Sequence, residues 1–185
     1  MTQPFAIGGN ILRVDLTRRA VTVEPTAPLN LRFPAGMGVN NWLLLNETPL
    51  GKAPLDPDNP LIFTAGSLVG TMAATACRMT ISCKNVLTGG FGAASAGGNF
   101  APELKYAGFD HIVVTGRAAQ PVYIDIDDGN VTICDADGLW GETTWETEKI
   151  LRARIDRPTL ELLSIGPAGE SMAAAACIIV SRTRS

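Results

Sequence analysis

Two stretches a hundred residues apart carry the residue types best suited to holding a ligand against bare backbone. Gly66–Cys77 reads GSLVGTMAATAC and Gly166–Cys177 reads GPAGESMAAAAC, and the last six letters differ only at Thr75 against Ala175. Each begins at a glycine that closes an apolar run, LIFTAG in one and LELLSIG in the other. Between them lies a segment dense in glycine, with Gly89, Gly90, Gly92, Gly97 and Gly98 inside 85–102. Ordering a glycine costs more backbone entropy than ordering any other residue, so such density signals disorder or a backbone that must touch something closely. Phe91, Phe100 and the run HIVVTG argue against disorder, and the glycine density argues against regular secondary structure there. Just before the brief helix PELKYAG, begun by Pro102 and ended by Gly108, Ser95 or Asn99 stands where free backbone N–H groups favour an anion. A tight sheet crossover would use the same glycines.

Other chemistries are poorly served. The cysteines at 77, 83, 134 and 177 include no pair at the two-residue spacing of a zinc or iron–sulfur loop. His111 is the sole histidine, reads as a strand-edge residue and is assigned no chemistry. Cys77 and Cys177 sit in apolar small-residue runs and read as buried structural thiols. A net charge of −3 with no basic stripe argues against nucleic acid. The opening MTQPFAIGGN lacks the charged and apolar regions of a signal peptide. The uncharged stretches 59–77 and 85–102 contain too much Gly, Pro, Ser and Thr for a membrane span. The expectation is a soluble, cytoplasmic protein. With 46% hydrophobic and 18% charged residues, it should bury a large face against something else.

The elements that must position the glycine loops follow from periodicity. NILRVDL and AVTVEP form a hairpin, 36–47 a short, mostly buried helix, and 49–60 a proline-rich loop. LIFTAG and CRMTISCK are strands either side of the first glycine loop. In the second half PVYIDIDDGNVTICDA is a hairpin with Asp-Gly at its turn. Thr143 and Glu146 make a capping box that opens a helix over 144–155. TLELLSIG and AACIIVS are strands flanking the second loop, and Trp140 should tuck against the sheet. The order hairpin, helix, strand, glycine loop, strand is the same in both halves. The chain therefore reads as one α+β domain, 1–185, made of two similar β-sheet units with short helices, an internal duplication over about 10–84 and 121–181.

The stretches GGNILRVDLTRRAVTVE, LTGGFGAASAGGNFAPELKYAGFDHIVVTGRA, PVYIDIDDGNV, DADGLWGETTWETE and IGPAGE carry a resemblance. Together, in order and spacing, they resemble the N-terminal domain of the aldehyde ferredoxin oxidoreductases, tungsten enzymes that hold the metal between two pterins. The resemblance covers nearly the whole chain, and Gly97–Asp110 is its most specific part. It implies a saddle-shaped base for two equivalent pterins, each ending in a phosphate, which suits two equivalent sheet units.

By position, Arg78 matches an arginine that contacts the pterin. Ser95, Ala96, Gly97 and Gly98 match the glycine-rich turn beside it, where the main chain of Ser95 would help hold a magnesium bridging the two phosphates. Arg184 and Ser185 match the start of a second pterin loop, and Ser185 would supply the other main-chain contact to that magnesium. There are departures. Ser95 stands where the family usually has Asn, Cys77 replaces a usual Gly and Asn99 a usual aromatic, and Val180, Ser181 and Thr183 replace a more polar pattern.

The resemblance also implies what lies elsewhere. The family's [4Fe–4S] ligands and acid/base groups belong to helical domains further along a much longer chain. This chain is then either an N-terminal piece or one product of a split gene, and by itself is expected to be apo. The reading is the tungstopterin-binding part of an oxidoreductase that converts an aldehyde to a carboxylic acid and passes electrons through the cluster to a ferredoxin-like acceptor. Tungsten is favoured over molybdenum, and a homo-oligomer is left open. A benzoyl-coenzyme A reductase-type relative shares the base, so a thioester ring is a second substrate class. The competing reading is a non-catalytic, stand-alone module that binds a pterin or phosphate ligand or only pairs with another chain.

Overall fold

The computed structural model of the chain describes residues 9–33, 36–157 and 159–180. A six-stranded sheet dominates it, in the order β2-β1-β6-β3-β4-β5. β1 (Asn10–Asp15) and β2 (Ala20–Pro25) form the expected hairpin. A one-turn helix α1 (Ala27–Asn30) and then α2 (Met37–Glu47) follow, before β3 (Leu61–Ala65), β4 (Met79–Lys84) and β5 (Phe91–Ala96) pair in antiparallel fashion. α3 (Phe100–Tyr106) returns the chain to β6 (Phe109–Thr115), which runs parallel to β1 and antiparallel to β3.

Both faces of the sheet are covered, which is why β1, β3 and β6 are apolar on successive residues rather than on alternate ones. On one face Val39, Leu43 and Leu44 of α2 pack on Ile11, Ile62 and Val113. On the other, Leu12, Val14, Phe63, Phe109 and Ile112 meet Leu104 of α3, with Ile124, Ile126, Val131 and Ile133 packed against them. Those last four belong to the hairpin of β7 (Val122–Asp127) and β8 (Asn130–Asp135). Its Asp-Gly turn has positive φ at both residues, 43° at Asp128 and 86° at Gly129, as a tight two-residue hairpin demands.

α4 (Thr144–Ile155) starts at the expected capping box: Glu146 N–H donates to Thr143 Oγ1 at 3.3 Å, and Thr143 N–H donates to Glu146 Oε2 at 3.2 Å. Leu151 of this helix is buried with Ala136 and Leu139. β9 (Leu163–Ser164), the short helix α5 (Pro167–Glu170) and β10 (Ile179–Val180) complete the described chain. β9 and β10 pair antiparallel, as β3 and β4 do. The architecture is mixed α+β, and the order hairpin, helix, strand, glycine loop, strand occurs in each half.

Several expectations need correcting. FGAASA, in the glycine-dense segment, is strand β5, an edge strand paired along the whole of β4. Its glycine serves the pairing: a Cβ at Gly92 would stand 3.2 Å from Cys83 O, so the strand comes too close there for a side chain. Trp140 is 53% exposed and its neighbour Leu139 is the buried residue. Of TLELLSIG only Leu163–Ser164 is strand. In the first half β6 fills the place between β1 and β3, whereas among the described residues no strand lies between β7 and β9.

Candidate functional site

The ends of β3, β4 and β5 gather at one edge of the large sheet, and the candidate residues cluster there. β4 and β5 end on the pair Met79↔Ala96, so Arg78 and Gly97 are the next positions outward on neighbouring strands. Arg78 and Ser95 are exposed; the expected turn at 95–98 begins as strand, with Ser95 and Ala96 paired to Thr80 and Met79 as the last residues of β5 and the chain turning only from Gly97. The ideal Cβ of Gly97 would lie 4.0 Å from Cys77 Sγ, and that of Gly66 3.7 Å from Arg78 O. The Cys77–Arg78 backbone therefore passes between the first glycine of the loop and the turn at 95–98. Among the described residues Arg78 makes no ion pair, which leaves its guanidinium available to an anion.

The second half closes on the same edge. Val180 and Leu163 pack on the cluster of Ala65, Val69, Met79 and Ala101. Gly98, at φ +115°, brings its backbone against Val180, where a Cβ would stand 3.3 Å from Val180 Cγ1. Asn99 Nδ2 reaches Glu161 Oε1 at 3.5 Å, so this side chain spans to the second half. Burial, with Glu161 and Asp128 nearby, raises the Glu103 carboxyl above its ordinary range. Arg184, Ser185, Ser181 and Thr183 lie outside the described residues.

The two glycine loops share two of their hydrogen bonds. Val69 N–H donates to Gly66 O at 3.0 Å, and Gly169 N–H to Gly166 O at 2.8 Å. Further along, Ala76 N–H donates to Ala73 O at 3.3 Å, and Ala176 N–H to Ala173 O at 2.9 Å. Each loop raises an exposed methionine, Met72 and Met172. Between those turns the loops part: 167–170 is the one-turn helix α5 with positive φ only at Met172 after it, whereas the first loop takes positive φ at Gly70 and Thr75.

The sulfurs are arranged differently from the expectation. All four thiols are free; Cys77 is half-buried and Cys177 exposed, so neither is a buried structural thiol. Each lies in a loop whose carbonyls and amides need water or a partner, which keeps it off the core. Among the described residues no group of three or more His, Cys, Asp and Glu side chains gathers. No helix there is long and apolar enough to cross a membrane. A cavity of about 480 Å³ lined by Leu16, Arg19, Gln120, Asp135 and Trp140 lies apart from this edge and shares none of its residues.

His111 is the largest correction. It is fully buried in β6, inside the sheet rather than at its edge. Its Nδ1 lies 2.9 Å from Thr64 Oγ1 and its Nε2 3.3 Å from the side-chain amide of Asn30. Thr64 in turn donates to Asn40 Oδ1, and Asn40 Nδ2 donates to Ser82 Oγ at 2.9 Å. Because the Thr64 proton is committed to Asn40, Thr64 Oγ1 accepts from His111 Nδ1–H; in the neutral ring Nε2 is then an acceptor, which requires the Asn30 amide to turn its NH2 group toward it. Burial lowers the His111 pKa to about 4. One polar residue on each of α1, α2, β3, β4 and β6 makes this network. No local pattern in the sequence announces it, since the five meet only where the two helices cover the sheet.

The profile of the aldehyde ferredoxin oxidoreductase N-terminal domain matches residues 11–185. The chain belongs to that family. Aldehyde ferredoxin oxidoreductase sequences resemble it closely: the tungsten-containing enzyme of Pyrococcus furiosus is 40% identical over 172 residues, 92% of this chain and 28% of that protein. Its Thermococcus kodakarensis counterpart is 42% identical over the same shares. Similarity also extends to the WOR-like subunit of an aliphatic sulfonate oxidoreductase of Pyrococcus furiosus, 33% identical over 153 residues, 80% of this chain and 24% of that one. Among solved structures, the active-site complex BamBC of benzoyl coenzyme A reductase, with 1,5-dienoyl-CoA, superposes at a TM-score of 0.93 and 35% identity, over 97% of this chain and 28% of that one. The chain spans about 28% of the length of the aldehyde ferredoxin oxidoreductases it matches.

Proposed function

We propose that this chain is the base on which a tungsten bis-pterin cofactor rests in an aldehyde:ferredoxin-type oxidoreductase. Its two halves form one cofactor-holding domain over 1–185. The observation that carries the reading is the convergence of the exposed Arg78, the turn at 95–98 and Val180 of the second half on one edge of the sheet. These residues fit a phosphate-bearing, flat group. A guanidinium offers a planar fork to a phosphate, and glycines at 97 and 98 leave the backbone bare for close approach.

When bound, the metal would exchange oxygen and electrons with the substrate, converting an aldehyde to a carboxylic acid. The chain's own residues bind and orient. Arg78 neutralises a pterin phosphate, and the main chain of Ser95, Ala96, Gly97 and Gly98 lines the turn beside it. The main-chain oxygens of Ser95 and Ser185 would help hold a magnesium, which would offset phosphate charge, and Arg184 would open the second pterin loop. The [4Fe–4S] ligands, the acid/base groups and the docking face for a ferredoxin-like acceptor belong to polypeptide other than these residues. The setting is cytoplasmic. A thioester ring is the second substrate class, favoured by the 0.93 TM-score to the benzoyl coenzyme A reductase complex.

The test is made on the intact natural protein. Wild type should carry tungsten, magnesium and pterin phosphate. Arg78→Ala should weaken cofactor retention by about 1.5–3 kcal/mol, the usual scale of a hydrogen bond to a charged group. Arg78→Lys should recover only part, because a point charge does not reproduce the fork. Full retention in Arg78→Ala refutes the role given to this residue. An intact protein free of pterin favours the non-catalytic pairing module.

A further inference from the structure

The first glycine loop is held from beneath by a buried charge. Lys105 of α3 and Asp110 of β6 pair at 3.4 Å, with side chains only 6% and 2% exposed. Lys105 Nζ also donates to Gly66 O at 3.4 Å and to Ser67 O at 3.2 Å. Asp110 Oδ2 accepts from Gly9 N–H at 3.0 Å. We propose that Lys105 is a positioning residue: its ammonium fixes the two peptide units that open the Gly66–Cys77 loop and, through them, the approach of Arg78. The last step rests on the cofactor reading above; the loop anchor does not.

Burying an ammonium costs several kcal/mol even with a good partner, and an apolar side chain of similar volume often serves the core as well. The lysine therefore needs a reason beyond packing, and the two carbonyls supply one. A peptide unit is planar and trans, so its C=O and the following N–H point in opposite directions. With Gly66 O and Ser67 O drawn inward to Nζ, the N–H groups of Ser67 and Leu68 face outward, where both residues are exposed. The same anchor reaches Arg78, because Gly66 packs beside Arg78 O. Gly70 is seated on this anchor too, its ideal Cβ 3.5 Å from Lys105 Cβ. The second loop is tied differently, with Gly141 N–H donating to Glu170 Oε2 at 2.9 Å. It provides an internal reference that shares the first and last turns, and among the described residues no lysine ammonium bonds to its carbonyls.

The experiment compares wild type, Lys105→Met and the double variant Lys105→Met/Asp110→Asn in the intact natural protein. Amide hydrogen exchange at 66–72 and 166–172, the unfolding midpoint and cofactor retention are measured together. Methionine keeps the stem and removes the donors, while asparagine removes the carboxylate charge that faced Lys105 and still accepts from Gly9. Lys105→Met should lower the midpoint and speed exchange at 66–72 about tenfold, with 166–172 unchanged. In the double variant the midpoint should recover while 66–72 stays fast, and retention should fall about tenfold in both variants. Because it buries no lone charge, the double variant also decides the matter if the single one does not fold. Exchange at 66–72 that recovers together with the midpoint makes Lys105 a core ion-pair partner only and overturns the proposal. A loosened loop with unchanged cofactor retention also overturns it, at the step to Arg78. If Arg78→Ala leaves retention untouched while the loop still loosens in Lys105→Met, the cofactor reading fails and the loop anchor stands.

Discussion

Gly98 and Val180 lie so close that a Cβ at 98 would stand 3.3 Å from Val180 Cγ1. This contact joins the turn after β5 in the first half to the last described strand of the second. It sets the turn that follows β5 directly against the last described residue of the second half.

Gly98→Ala should therefore be costly and Gly97→Ala cheap. At φ +115° an alanine is strained, which costs about 1–3 kcal/mol, and its methyl must also push Val180 aside. At Gly97 the nearest heavy atom to a new methyl is 4.0 Å away, so the change in stability should stay within about 0.5 kcal/mol. Denaturant unfolding of the two variants checks the contrast; equal losses would contradict the geometry.

His111 should make the fold acid-sensitive. Its pKa falls from 6.5 to about 4 on folding, chiefly through burial, with Asp110 opposing and Lys105 reinforcing the shift. Between those values the unfolded chain binds a proton that the folded chain refuses, so stability drops as pH falls from about 6.5 to about 4 and levels off below. The full loss is on the order of 3 kcal/mol. In His111→Gln that part of the pH slope should vanish when unfolding free energy is followed from pH 7 to 4. An unchanged slope would show that other groups set it.

Thr143→Ala removes the oxygen that accepts Glu146 N–H at the start of α4. The loss should be about 1 kcal/mol, the usual scale for an N-cap. Thr143→Ser should restore most of it, as read from thermal unfolding.

The 185-residue chain expressed alone should carry no stoichiometric iron or tungsten. Four free cysteines that do not gather, and one buried neutral histidine, offer no preformed cluster site. Elemental analysis of the purified chain checks this, and one iron cluster per chain would overturn it.

Local chemistry made much of this protein legible in its sequence. Asp128-Gly129 marked a hairpin because only certain residues tolerate its positive φ, and Thr143 with Glu146 marked a helix start because both satisfy each other's backbone. The repeated letters at 66–77 and 166–177 marked two loops that open and close on the same two hydrogen bonds, although their middles differ where Pro167 starts a helical turn. The family was legible too, through the spacing of Gly97–Asp110. What the tertiary structure decided were the facts that depend on neighbours distant in the chain. β5 exists because β4 offers it a ladder, although the glycines in and around it disfavour a strand. His111 is buried because β1 and β3 flank its strand and α2 covers its face. Lysines in short helices are mostly exposed, yet Lys105 ends beneath the first glycine loop, because α3 and β6 turn Lys105 and Asp110 toward each other under Gly66. Burial and pairing are set by where the sheet places each segment, and no window of sequence contains that information.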